Sequence, residues 1–226
     1  MSEQEKPMIV PEFDIVPDKT ALVVIDMNYA DAHRDYGAGI PEEARESVEP
    51  WFDEIDNKVI PGIQKLLDAF RKNRMKVLYT TCGAEMPDLS DMHPRWAEIF
   101  RRVGIGRSVP GNREFEIRDE VKPIEGELVL VKKSSGAFNT TNIDQVLRNW
   151  GIDTVVFVGI ATNVCVYLSA ADAGDRGYKT IVVSDATAAL PSEMHDVFLK
   201  IGSTFYFLVQ TTDEVINGIE RALMRG

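Results

Sequence analysis

The stretch "VVFVGIATNVCVYLSAADAG" (Val155–Gly174) changes character part-way along. Apolar, mostly β-branched residues run to Ile160, and after Asn163 the residues Val166, Ala170 and Ala173 fall on one helical face. That is a buried strand turning into a helix, half of a β-α-β unit. The pattern repeats along the chain. "TALVVID" (20–26), "MKVLYTT" (75–81), "ELVLVKK" (127–133), "DTVVFVGI" (153–160), "KTIVVSD" (179–185) and "TFYFLV" (204–209) all read as strands. Helical stretches separate them, such as "VIPGIQKLLDAFRKN", with Ile63, Leu66, Leu67 and Phe70 at helical spacing. Strands that are apolar throughout, rather than alternating, belong to a sheet covered on both faces. Alternation of strand and helix makes that sheet mostly parallel, with right-handed crossovers. The expected fold is one α/β domain over residues 1–226: a mostly parallel six-stranded sheet with helices on both faces, a Rossmann-like three-layer sandwich preceded by an extended segment, 1–19.

A chain of 226 residues, 44% hydrophobic and 27% charged, can bury a large core without disulfides or metals. Its net charge of -11 repels a phosphate backbone, and the pairs Arg101-Arg102 and Lys132-Lys133 are too short to offset it, so no nucleic-acid partner is expected. No apolar run approaches the ~18 residues of a membrane span. The start, "MSEQEKPMIVPEFDIVPDKT", lacks the basic and apolar parts of a signal peptide. Two cysteines make no disulfide framework. A cytoplasmic protein with free thiols and no membrane partner is the expectation.

Ligands of open parallel sheets bind beyond the carboxyl ends of strands. Asp26, Thr80-Thr81-Cys82, Lys132-Lys133, the loop 161–165 and Asp185 all fall there. Two long insertions accompany them: an acidic one from about Ala30 to Glu54, placed to cover a site, and Gly83–Phe115 after the second strand. Cys165 would occupy the first helical turn, where unpaired N–H groups stabilise a thiolate or an oxyanion and Thr162 or Asn163 could cap. Free cysteine is also among the most buried residue types, so from this stretch alone packing is the favoured account. Asp26 reads as a general base or a structural carboxylate, and Lys132 and Lys133 as solvated lysines or one cleft cation. What favours chemistry is the set: a carboxylate, an ammonium and a thiol at three strand ends.

Three motifs, "ALVVIDM" (21–27), "KKSSGAFNTTNID" (132–144) and "GIATNVCV…AADAGDRGY" (159–178), resemble in order those of the isochorismatase-like cysteine hydrolases, over about residues 20 to 210. The resemblance implies a catalytic triad of Asp26, Lys132 and Cys165. It selects Lys132 because the family's lysine stands four residues before a small-Ala-Phe triplet, here Gly136-Ala137-Phe138. It further implies a non-proline cis peptide at Ile160–Ala161 and an oxyanion hole from the N–H groups of Ala161 and Cys165. The implied chemistry is thiol attack on a carbonyl with Asp26 as base, a thioester intermediate and its hydrolysis.

The chain departs from the family at "DMNYAD" (26–31), where many members read "DMQNDF". Asp88, Asp91 and His93 lack the Asp-x-His spacing of the metal-binding members, and only three histidines exist (His33, His93, His195), so neither a metal nor another cofactor is expected. "GAEMPDLSDMHPRW" (83–96) and "GIATNVCV" are similar to stretches of biuret-type and ureidoacrylate hydrolases, which implies a small carbamoyl, ureide or amide substrate. Asn28, Arg95 and Phe138 are candidate pocket residues, and Cys82 is read as packing. The alternatives are an isochorismatase-type vinyl-ether hydrolase and a non-catalytic small-molecule binding module. The loop "DMNYADAHRDYG" carries no glycine-rich phosphate fingerprint, which disfavours nucleotide binding. The resemblance also implies a homodimer or homotetramer.

Overall fold

A computed structural model describes residues 10–36, 45–102 and 109–225. Six strands, β1 (Thr20–Ile25), β2 (Lys76–Cys82), β3 (Leu128–Lys132), β4 (Thr154–Ile160), β5 (Lys179–Ala188) and β6 (Leu208–Gln210), form one sheet in the order β3-β2-β1-β4-β5-β6. Every neighbouring pair is parallel. The helices are α1 (Tyr29–Ala32), α2 (Arg45–Glu54), α3 (Ile60–Lys72), α4 (Pro94–Arg102), α5 (Ile143–Asn149), α6 (Tyr167–Asp175), α7 (Met194–Gly202) and α8 (Thr212–Arg225). All six residues of β1 and all seven of β4 are buried, because successive side chains enter opposite layers. Leu22 and Val24 pack with α2, α3 and α8 through Phe52, Leu66, Phe70 and Ile219. Ala21, Val23 and Ile25 pack with α5, α6 and α7 through Leu147, Ala170 and Leu199. The continuous apolar strands thus have the two covering layers their composition calls for.

The sixth strand differs from expectation. It begins at Leu208, not Thr204, because the N–H groups of Tyr206 and Phe207 return to the carbonyl of Gly202 and wrap residues 204–206 around the end of α7. Only Phe207 of "FYF" enters the core; its ring lies where a Cβ on Gly202 would stand, 1.9 Å from Cζ, and Phe205 stays 64% exposed. The strand order reverses between β1 and β4, and a crevice at the carboxyl ends of those two strands is where an open sheet places its ligand. No described helix is long and apolar enough to cross a membrane.

Candidate active site

The crevice is built from the ends of β1, β3 and β4. Asp26 follows β1 with φ of 50°, its N–H bonded to the Thr80 carbonyl at 3.0 Å. This left-handed turn, which Asp tolerates better than most residues, ends the strand and leaves the carboxyl 3% exposed on the crevice floor. The Thr80 hydroxyl donates to Asp26 Oδ1 at 3.3 Å. Gly159, opposite Ile25 in the β1–β4 register, has φ of 104° and no room for a side chain. The close approach of the two strands depends on it.

Lys132 closes β3 and is completely buried. Its ammonium lies 2.7 Å from Asp26 Oδ2, donates to the Ser134 carbonyl at 3.0 Å and reaches Cys165 Sγ at 3.3 Å. Three donors meet three acceptors, which is the full capacity of a charged lysine. The neighbouring Lys133 points the other way, to Glu85 Oε2 at 2.9 Å and Asp91 Oδ2 at 2.8 Å. The two lysines therefore divide as strand alternation requires: Lys132 holds the crevice floor and Lys133 anchors the insertion after β2.

Cys165 sits in a five-residue π-helical turn, Thr162–Val166, which leads into α6. The expectation of an ordinary first helical turn capped by Thr162 or Asn163 is corrected here. The turn starts at Thr162 and has no side-chain cap. The Thr162 hydroxyl instead faces His195 Nδ1 at 2.9 Å, and the Asn163 amide donates to the Leu190 carbonyl at 3.1 Å. The N–H groups of Val164 and Val166 both return to the Ala161 carbonyl. The peptide Ile160–Ala161 is cis. Behind the lysine, the Ala137 N–H donates to Ser169 Oγ at 3.1 Å, tying the "GAF" loop to α6.

Burial pushes the Cys165 thiol well above its ordinary range; Lys132 pulls it down, while the adjacent Asp26 carboxylate raises it further. The resting sulfur is a thiol with a carboxylate beside it. Burial is the largest influence on the Lys132 ammonium and works against it, but Asp26, Cys165 and Cys82 together outweigh it and hold the ammonium charged. Cys82, paired with Lys132 in the β2–β3 register, is pushed up to about 12 by burial.

Above these groups is a cavity of about 300 Å3. Asp26, Cys82, Ile160, Ala161 and Cys165 lie along it, and four aromatic side chains wall it: Trp51 and Phe52 of α2, Trp96 and Phe100 of α4. Ala30 and Asp31 of α1, with Val164 and Leu190, complete the lining. Burial, reinforced by the charge of Asp26, raises the Asp31 carboxyl to about 6, against hydrogen bonding from Asn28. Part of the acidic insertion therefore does cover the crevice, through α1 and α2; residues 37–44 lie outside the described residues. A more open hollow of about 370 Å3, between α6 and Gly136–Asn139, contains none of Asp26, Lys132 or Cys165.

Of the other expected pocket residues, Asn28 is fully buried under α1 and touches Asp31 rather than the cavity. Arg95 is exposed on α4, where its neighbour Trp96 takes the inward position. Phe138 packs in the core against Tyr178, with ring centroids 6.0 Å apart. Cys82, read as packing, lines the cavity as well. Asp91 accepts the N–H groups of Glu85 and Met86, His93 is exposed, and no described group of three or more His, Cys, Asp or Glu could hold a metal ion.

The isochorismatase domain matches residues 20–214, from the first residue of β1 into α8. The chain belongs to the isochorismatase family of hydrolases. Among its relatives in this family, the ureidoacrylate amidohydrolase RutB of Agrobacterium fabrum is 30% identical over 219 residues, covering 91% of this chain and 92% of that one. A cysteine hydrolase from Pseudomonas syringae pv. phaseolicola superimposes with a TM-score of 0.78 at 27% identity, covering 93% of this chain and 97% of the other. The N-carbamoylsarcosine amidase of Thermoplasma acidophilum gives 0.65 at 31% identity over 86% and 97%. As an isochorismatase-family member, the chain has the six-stranded parallel sheet and flanking helices expected from its strand pattern.

Proposed function

We propose that this protein is a cysteine-dependent amidohydrolase that cleaves a C–N bond of a small carbamoyl, ureide or amide compound. The observation that carries the reading is the buried Lys132 ammonium, 2.7 Å from Asp26 and 3.3 Å from Cys165, two residues that line the cavity. Asp26 takes the thiol proton as Cys165 attacks the carbonyl carbon, and Lys132 steadies the charge on both. The N–H groups of Ala161 and Cys165 hold the oxyanion, a contribution of about 3–4 kcal/mol per donor in comparable sites. The C–N bond breaks, the departing nitrogen carries away the proton from Asp26, and a thioester remains. Water, giving a proton to Asp26, attacks that thioester; the C–S bond breaks and the thiol regains its proton. The names of the amidohydrolase and amidase relatives support C–N cleavage over vinyl-ether cleavage, as does a thiol beside a base. The test is ammonia release from a panel of ureas and amides, with Cys165→Ser and Asp26→Asn as controls. Each variant should lose about 10³-fold or more of kcat, and unaltered turnover in Cys165→Ser would refute a thioester route.

A further inference from the structure

The charge balance of the cavity says something about the substrate as well as the reaction. The Lys132 charge is taken up by Asp26, so this pair is neutral as a unit. Asp31 is then the uncompensated charge on the wall: among the described residues no lysine, arginine or histidine lines the cavity. Nearby cations are committed elsewhere. Arg34 pairs with Glu49, Asp53 and Asp56, Arg118 with Asp56 and Glu120, Arg113 with Glu116 and Asp119, and Lys133 with Glu85 and Asp91. Asp31 lies beside the buried Asn28, whose amide donates to the Glu114 carbonyl at 3.4 Å and whose Oδ1 has no partner among the described residues. Around it stand Trp51, Phe52, Trp96 and Phe100, whose ring faces attract cations. A carboxylate-bearing substrate would face two carboxylates and, among the described lining residues, no cation, whereas a cation would find both a counter-charge and an aromatic wall.

We propose that the substrate's non-scissile end is a cation, a protonated amine or amidine nitrogen, which Asp31 holds against the aromatic wall, and that carboxylate-bearing ureides are turned away. This rests on reading the site as an amidohydrolase and departs from the anion for which the ureidoacrylate relatives are named. The raised carboxyl of Asp31 fits the assignment, because a bound cation relieves the cost of keeping it ionised in a walled cavity. Asp31 acts on binding, while the bond-breaking groups lie below it.

The test uses the whole chain and three ureas of matched length: 2-aminoethylurea (cation), n-propylurea (neutral) and N-carbamoylglycine (anion). Steady-state ammonia release is measured on the native protein and on Asp31→Asn, and calorimetric binding on Cys165→Ser with and without Asp31→Asn. The native protein should prefer the cation over the anion by about 100-fold in kcat/KM at pH 8, and Asp31→Asn should cut that preference by at least about tenfold, chiefly through KM. Turnover that favours N-carbamoylglycine, or a preference that Asp31→Asn leaves unchanged, overturns the assignment while the amidohydrolase reading stands. Absence of turnover together with Asp31-dependent binding of 2-aminoethylurea supports the assignment and removes the amidohydrolase reading. Neither turnover nor binding overturns both.

Discussion

Replacing Gly159 by alanine tests the junction on which the site depends. A Cβ at this position would lie 2.0 Å from the Ile25 carbonyl oxygen, 2.8 Å from its nitrogen and 2.9 Å from its carbonyl carbon. All three are backbone atoms of the central strand, so the neighbour cannot rotate aside as a flexible side chain would. The φ of 104° adds a second penalty, since residues with a Cβ rarely adopt it. The conformational part costs about 1–3 kcal/mol and the overpacking about 1–3 more, so a loss of about 4 kcal/mol is expected, a large share of the ~5–15 typical of a domain. Gly126 and Gly177 separate the two contributions: their φ values are 91° and 89°, but nothing lies within 4 Å of a Cβ on either. Urea unfolding followed by circular dichroism should show Gly126→Ala and Gly177→Ala losing only the conformational part. Gly159→Ala should lose two to three times as much, and hydrolytic activity should fall even where it remains folded, because Asp26 is the residue after Ile25. Equal losses in all three variants would mean that the β1–β4 approach does not require this glycine.

The Asp31 carboxyl, raised from 3.8 to about 6, destabilises the fold when ionised: its favourable contribution is complete below the unfolded value and disappears as pH rises through about 6. Discounted for its partial exposure to solvent, Asp31→Asn should stabilise by about 1–2 kcal/mol at pH 8 and by almost nothing at pH 4. Melting temperatures at the two pH values check this, and a gain that does not change with pH would contradict it. Iodoacetamide should label Cys165 before Cys82, because Asp26 lies in hydrogen-bond contact with the Cys165 thiol while Cys82 is a buried residue, and mass mapping after partial labelling reads the order. Loss of activity should track modification of Cys165, and activity persisting after complete labelling of that residue would argue against a thiol mechanism.

Five of the six strands were legible within one to three residues at each end because each is a short apolar run bounded by polar residues. The sixth misled at its start because "TFYF" carries the same composition whether it pairs in a sheet or wraps a helix end against Gly202. Asp26 and Cys165 each had a bland reading alone. A carboxylate, an ammonium and a thiol at three strand ends made a set, the family resemblance picked Lys132 over Lys133, and the structure brings all three into contact. The cavity walls were not legible in the same way. Trp51, Phe52, Trp96 and Phe100 come from two insertions, and their helical spacing is the same for an aromatic that faces a cavity as for one that faces a core. Arg95 was one residue from the inward-facing Trp96, a distinction that turns on the rotation of α4. A usable signal for Asp31 did exist: a carboxylate between Ala30 and Ala32, directly after the first motif, where an acid is out of place on an apolar helix turn.

The saturation of Lys132 limits how this site can change over time. Its ammonium is a tripod whose legs rest on the end of β1, the 134 loop and the turn before α6. An arginine there would preserve the charge, yet its planar fork is longer and aims its donors in one plane, so it cannot stand on three points arranged around a single nitrogen. The usual exchange between basic residues is closed at this position. Asp31 stands on a helix of only four residues and has no comparable set of ties, so it can be replaced without dismantling the floor below it. If the proposed amidohydrolase reading holds, drift in what the protein accepts can proceed through the wall while Asp26, Lys132 and Cys165 stay where they are.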